Sequence, residues 1–307
     1  MTVTADVVRQ LRERTGAGMM ECKKALVETG GDLDAAGELM RKQGLAKADK
    51  KATRVAAEGV VVIAAAPDGR AAAMVEINCE TDFVAREAEF QQFAASVAQA
   101  ALAGGFNEVE PLLARSLAGG ETVDERRRAL IARIGENISV RRVAFLSSAG
   151  LLGGYTHGTR IGVLVATEGG DAALARDLAM QIAAANPRFL DGSDVPADEL
   201  ERERGIAVEQ ARLDPKNASK PEQVLVKIVD GKVRKVFDEQ TLYKQPFIRD
   251  DKQSVEQLLK AANARALAFI RFEVGAGIEK KREDFAAEVQ AQIDAQKKDG
   301  IDNPGRH

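Results

Sequence analysis

Gly59-Val60-Val61-Val62-Ile63-Ala64, then Pro67-Asp68-Gly69-Arg70, then the apolar run 72–78: this stretch decides the fold class. β-Branched residues crowd the first run, and a Pro-Asp-Gly turn signal parts it from the second, which is the pattern of a hairpin. Helical spacing takes over after Phe83, with Ala85, Phe90, Phe93, Val97 and Ala101 recurring on one face. The same order returns about 90 residues later. Run 151–155 leads into the turn His157-Gly158-Thr159-Arg160, then Ile161-Gly162-Val163-Leu164-Val165-Ala166, then a helical segment 172–185 ending at Asn186-Pro187. Strand–turn–strand–helix occurring twice predicts an α+β chain with two related subdomains built on antiparallel sheets. Identity between the halves is low, so the echo is one of topology.

Outward from this core, residues 1–55 read as three short helices. Val7, Val8 and Leu11 share a face behind a Thr4 N-cap, and Thr15-Gly16-Ala17-Gly18 breaks the first helix. The second starts at Met19 and stops at Gly30-Gly31, and Asp32 caps a third carrying Leu33, Ala36, Leu39 and Met40. Between the halves, 123–137 reads as a helix and 138–145 as an alternating strand. Two charged helical patterns, 198–211 and 221–237, flank a turn at 213–217, with Pro221 in the first turn of the second. They predict a protruding helical hairpin. A late strand over 268–274 precedes a last helix over 283–296, with Phe285 and Val289 on one face, and a polar tail over 297–307. The expected division is a three-helix domain (1–55), a first core subdomain (56–150), a second (151–190 with 241–275), an inserted hairpin (191–240) and a C-terminal helical module with its tail (276–307).

Composition narrows the function. A net charge of −3 and a pI near 5.7 disfavour direct nucleic-acid binding. The one basic run, Lys47 to Arg54, reads as a solvated helix end or linker. No stretch approaches the ~20 apolar residues needed to cross a bilayer, so no membrane association is expected. The first residues lack the apolar core of a secretory signal, and a cytoplasmic location is expected. Two cysteines far apart and two histidines, one of them terminal, supply neither a disulfide framework nor a zinc site. The Gly-x-Gly pairs at Gly16/Gly18 and Gly275/Gly277 lack the Gly-Lys-Ser/Thr ending of a phosphate loop. The chain is expected to carry no metal or cofactor and to have no convergent acid, base or nucleophile.

Three places admit two readings. In Thr81-Asp82-Phe83-Val84, Asp82 reads as an N-cap and Phe83 as a core residue. The same residues could instead present an aromatic wedge and a carboxylate on a stiff turn. His157, beside Gly158 at a hairpin tip, is either a solvated turn residue or a contact. Met19 and Met20 are neighbours about 100° apart on a helix, so both cannot face one small core. Flexible methionine suits an adaptable binding surface.

Four segments, in this order and spacing, carry a resemblance to a known family. They are Leu11-Arg12-Glu13-Arg14-Thr15-Gly16-Ala17-Gly18-Met19-Met20 with Cys22-Lys23-Lys24-Ala25-Leu26; Asn78-Cys79-Glu80-Thr81-Asp82-Phe83-Val84-Ala85; His157 to Val165; and Phe269 to Gly275 with Asp284-Phe285-Ala286. Together they resemble the elongation factor Ts family over nearly the whole chain. The resemblance implies a ubiquitin-associated-like N-terminal domain, two related core subdomains, a dimerisation hairpin and a C-terminal helix. It implies a guanine nucleotide exchange factor, not an enzyme, whose partner is the GTPase elongation factor Tu. By the same resemblance Thr81, Asp82, Phe83 and Val84 disturb the partner's Mg2+ site. Arg12, Met19, Met20, Lys23, His157, Phe285 and Val289 are implied to touch the partner, and a homodimer through the hairpin is implied as possible. The alternative is a ubiquitin-associated-type protein-binding adaptor without exchange activity.

Overall fold

Three helices open the chain, and Thr4 and Asp32 give the first and the third a side-chain acceptor at the start, while the second begins after Gly18 with no side-chain cap. Thr4 Oγ1 accepts from the Val7 amide at 3.4 Å, and Asp32 Oδ1 accepts from the amides of Asp34 and Ala35 at 2.8 and 2.9 Å. In the computed structural model, which describes residues 3–15, 17–217 and 220–279 (of 45–49 the backbone alone), these are α1 (Ala5–Thr15), α2 (Met19–Glu28) and α3 (Leu33–Lys51). Val8, Leu11, Cys22, Ala25, Leu26 and Ala36 close a small core. Such a core is marginal by itself. The helix expected over 283–296, with Phe285 and Val289, lies outside the described residues.

The expected hairpin is present as β1 (Glu58–Ala65) and β2 (Ala71–Cys79), followed by α4 (Asp82–Arg86), α5 (Ala88–Gly104), α6 (Val109–Leu113), α7 (Val123–Ile134) and β3 (Ser139–Ser147). The strands form an antiparallel sheet in the order β1-β2-β3. The echo follows as β4 (Leu151–His157), β5 (Ile161–Glu168) and α8 (Ala172–Ala185). Next come α9 (Ala197–Leu213), α10 (Glu222–Gln240), the short ladder of β6 (Pro246–Phe247) with β7 (Asp250–Ser254), α11 (Val255–Ala261) and β8 (Arg265–Glu273). The second sheet runs β4-β5-β8, also antiparallel. The fold class is therefore α+β, as expected.

Period-two alternation sorts each strand's side chains between two layers. Val60, Ala64, Val75 and Ile77 face α5 and α7, where Phe90, Phe93, Val97 and Ile131 complete a core. Val61, Met74 and Ala144 point the other way and meet Leu164 and Phe272 of the second sheet. Val163 and Val165 then face Leu178 and Ile182 of α8. The result is helix, sheet, sheet, helix. Each fully buried Leu, Ile or Met in these layers contributes about 1.5–3 kcal/mol. Gly162 permits the close approach of the sheets: a Cβ there would stand 2.4 Å from Val61 Cγ1 and 2.7 Å from Met74 Sδ.

Several boundaries differ from expectation for local reasons. Helical spacing after Phe83 is split in two, because Glu87 adopts an extended conformation (φ −67°, ψ 136°) between α4 and α5. The helix expected over 123–137 stops at Ile134, where Gly135 takes φ 92° and turns the chain sharply. Pro221 is the N-cap of α10 rather than part of its first turn. The base of the α9–α10 hairpin is closed by the amides of Arg188 and Phe189, which donate to the Gln240 carbonyl at 2.8 and 3.1 Å. The insertion thus leaves and rejoins the core at one point. Among the described residues no helix is long and apolar enough to cross a membrane.

Candidate prong and binding surface

β2 ends at Cys79, opposite Glu58 at the start of β1. The chain then turns through Glu80 and Thr81 into the five-residue α4. Thr81, not Asp82, is the N-cap. It has extended backbone (φ −121°, ψ 155°), and its hydroxyl accepts from the Val84 amide at 3.4 Å. Asp82 is displaced into the first helical position, and its carboxylate accepts from Arg86 Nη2 at 2.7 Å, one turn on. Val84 and Ala85 turn inward to the first core. Neighbours on a helix diverge by about 100°, so Phe83 is left pointing out, with 76% of its surface exposed. The core reading of Phe83 is corrected here: α4 is too short, and too firmly anchored by Val84, to bury it as well.

The base of this prong is cross-tied by residues that spacing does not reveal. Glu136, just past the Gly135 turn, accepts from the amides of Glu80 (3.2 Å) and Thr81 (3.0 Å) and from the Thr81 hydroxyl (2.7 Å). Glu80 in turn accepts from the Asn137 amide at 2.6 Å and from Arg54 Nη1 at 3.2 Å. Asn137 is buried and its side-chain amide donates to the Arg54 carbonyl at 2.7 Å. Beneath them the Cys79 thiol donates to the Thr81 carbonyl at 3.1 Å. Burial first, then the carboxylates of Glu136 and Glu58, push this thiol from its ordinary 9.0 up to about 12. It stays protonated at neutral pH and is no nucleophile.

His157 ends β4 at the edge of its turn and is exposed. The Tyr155 hydroxyl lies 3.2 Å from its Nδ1. In the same turn the Thr159 carbonyl accepts from the Val61 amide at 2.8 Å, and Arg160 Nη1 donates to Glu58 Oε2 at 2.7 Å. Because Glu58 also pairs with Cys79, the His157 turn and the prong lie at the same end of the two sheets.

On α2 both methionines are exposed, Met19 by 56% and Met20 by 75%; Arg12 and Lys23 are exposed too. Val27, at 62%, was not anticipated. It stands seven residues after Met20, two turns along the same face, a spacing that the reading of α2 left unused. Among the described residues no group of His, Cys, Asp and Glu could hold a metal ion. The described residues present an outward phenylalanine with an acidic neighbour on a tied base, a histidine turn at the same end of the sheets, and, on α2, exposed apolar side chains.

Comparison with known proteins places this surface in context. The family model described as elongation factor Ts matches residues 80–276. The curated protein named elongation factor Ts from Methylococcus capsulatus is 54% identical over 296 residues, covering 96% of this chain and all of the relative. Those of Thioalkalivibrio sulfidiphilus and Xylella fastidiosa (strain 9a5c) are each 53% identical, covering 95% of this chain and 99% of the relative.

Proposed function

The chain belongs to the elongation factor Ts family, and from that premise we propose that it binds GDP-bound elongation factor Tu and drives GDP release by disturbing the Mg2+ site, so that GTP can enter. The observation that carries this reading is Phe83, an exposed aromatic ring on a short helix whose base is held by Thr81, Glu80 and Glu136. A large apolar side chain kept in water has a cost that burial in a partner removes. Mg2+ demands near-octahedral oxygen geometry. Displacing the groups around it by a small distance therefore weakens its hold on the nucleotide phosphates. Phe83 supplies the apolar burial that shifts the partner, with Val84 and Thr81 fixing its aim. Asp82, relinquishing Arg86, and His157 add polar contacts that favour the open, metal-free arrangement.

The factor must bind that arrangement better than the nucleotide-bound one, or it shifts nothing. By reciprocity, incoming nucleotide weakens the factor's grip by the same ratio. No covalent step is needed, so this is an exchange factor rather than an enzyme, working in the cytoplasm. Arg12, Met19, Met20 and Lys23 form a second contact with the partner, and Phe285 and Val289 a third. In the same reading 1–55, the two core subdomains, the hairpin and 276–307 act as separate modules. The hairpin, which exposes Leu213, Val224 and Val226, joins two copies of the chain. An adaptor lacking exchange activity would leave the tied prong without a task.

The test is release of a fluorescent GDP from purified elongation factor Tu at fixed Mg2+. Acceleration that weakens as Mg2+ is raised is the expected result. Release at the spontaneous rate, with complex formation intact, would favour the adaptor.

A further inference from the structure

The prong's aim depends on one side chain that takes no part in the recognition surface itself. Residues 80 and 81 leave β2 with their amides turned toward the 135–137 turn, and one carboxylate there takes both amides and the Thr81 hydroxyl. We infer that Glu136 is a positioning residue: it holds Glu80 and Thr81 in the arrangement that keeps Thr81 capping α4 and Phe83 aimed away from the protein. The inference rests on the proposed role of Phe83 and concerns what makes that role possible.

The geometry supports it in three steps. An isolated five-residue helix is unstable, since its nucleation cost is not recovered over so few bonds. α4 therefore persists only through its ends and through burial of Val84 and Ala85. At its start the Thr81 hydroxyl works twice, donating to Glu136 Oε1 at 2.7 Å and accepting from the Val84 amide at 3.4 Å. The short bond to the carboxylate sets the hydroxyl's position, so the cap is oriented by Glu136. Finally, among the described residues the hydrogen-bond partners of Glu136 are all neutral N–H and O–H groups. Bonds to a charged acceptor are the stronger kind, and here that strength goes into the loop rather than into an ion pair. Glu136 is itself fixed by the Gly135 turn (φ 92°), by Asn137 donating to Glu80, and by the Lys51 ammonium on the Gly135 carbonyl. A rigid base of this kind lowers the ordering cost of inserting Phe83 into a partner.

The experiment is a double-mutant cycle on the full chain, read by stopped-flow release of fluorescent GDP from elongation factor Tu across a range of factor concentrations. Glu136→Ala is expected to lower the maximal release rate by about tenfold, the scale of losing charge-assisted bonds. The half-saturating concentration should move far less, because the α2 surface is untouched. Glu136→Gln keeps one acceptor oxygen but loses the second, and should recover part of the rate; it carries the comparison if the alanine variant does not fold. In a Phe83→Ala background, Glu136→Ala should add nothing. A folded Glu136 variant with the wild-type rate, or one that slows the Phe83→Ala protein as much as the parent, would overturn the inference. Amide exchange at Thr81 and Val84 reads the clamp with no partner present: it should quicken in Glu136→Ala, and unchanged protection would overturn the inference too. If Phe83→Ala alone exchanges at the wild-type rate, the prong's role fails, and the amide readout still decides whether Glu136 holds it.

Discussion

Phe83 is aimed outward by its neighbours rather than by contacts of its own. Val84 and Ala85 face inward, Thr81 caps, and the ring has no inward position left. Beneath it, Cys79 is a buried thiol with its pKa raised from 9.0 to about 12. Alkylation mapped by mass spectrometry should leave Cys79 unmodified at mildly alkaline pH until the protein is unfolded. The sign of the pH effect follows from the raised value. The stabilisation from keeping this thiol neutral is complete below about pH 9 and is lost as pH climbs from there through about 12. Denaturation of Cys79→Ala should accordingly lose less stability over that window than the parent; equal losses would show that Cys79 does not titrate there. At this scale the sequence was only partly legible. The Thr81–Val84 stretch stood out. Spacing put the cap on Asp82 rather than Thr81 and left Phe83 open between core and wedge, because the break at Glu87 carries no glycine or proline to announce how short α4 is. Glu136 was invisible, since its partners lie 55 and 56 positions away.

The elements that spacing revealed are those whose apolar period is long and uninterrupted. β1 with β2, β5 and α8 follow runs rich in Val, Ile, Leu and Ala, while β4 (Leu-Leu-Gly-Gly-Tyr-Thr-His) is marked by the turn that joins it to β5. β7 (Asp-Asp-Lys-Gln-Ser) and the seven-residue α11 are too polar or too short to show a period, and they passed unread. One feature within a well-read strand was also hidden. Glu76 is fully buried in β2, and a bulge in β3 at this point lets the consecutive Arg141 and Arg142 both reach it, at 2.9 and 2.5 Å. Glu76 also accepts from the Gly275 amide at 2.8 Å, and Arg142 donates to the Glu273 carbonyl at 2.9 Å while stacking on Phe272. This network ties the first sheet to the end of β8. Glu76→Ala should destabilise the fold by about 3 kcal/mol, the lower end for breaking a buried pair, because both arginines keep some access to water. Guanidinium denaturation measures it; a loss near zero would mean the network serves only geometry.

In the molecule as a whole, the surface proposed for recognition and the hairpin proposed for self-association occupy different places. The prong and the His157 turn share one end of the stacked sheets, while the α9–α10 hairpin is an insertion closed at its base by the Phe189–Thr241 bridge. Its buried seam is Ala207, Ala211, Val229, Val233 and Phe237, and Leu213 is 83% exposed. Replacing 192–238 with a short Gly-Ser linker should leave the thermal unfolding of the core nearly unchanged and convert a dimer to a monomer in analytical ultracentrifugation. An unaltered mass would remove the hairpin from self-association. The central claim, that an exposed aromatic ring on a fixed base opens the GTPase, is tested most directly by stopped-flow release of fluorescent GDP from elongation factor Tu with saturating Phe83→Ala protein. The variant should fold as the parent does and release GDP at least about tenfold more slowly, the scale of losing a buried Phe contact of 1.4 kcal/mol or more. A folded variant that releases GDP at the parent's rate would contradict the account.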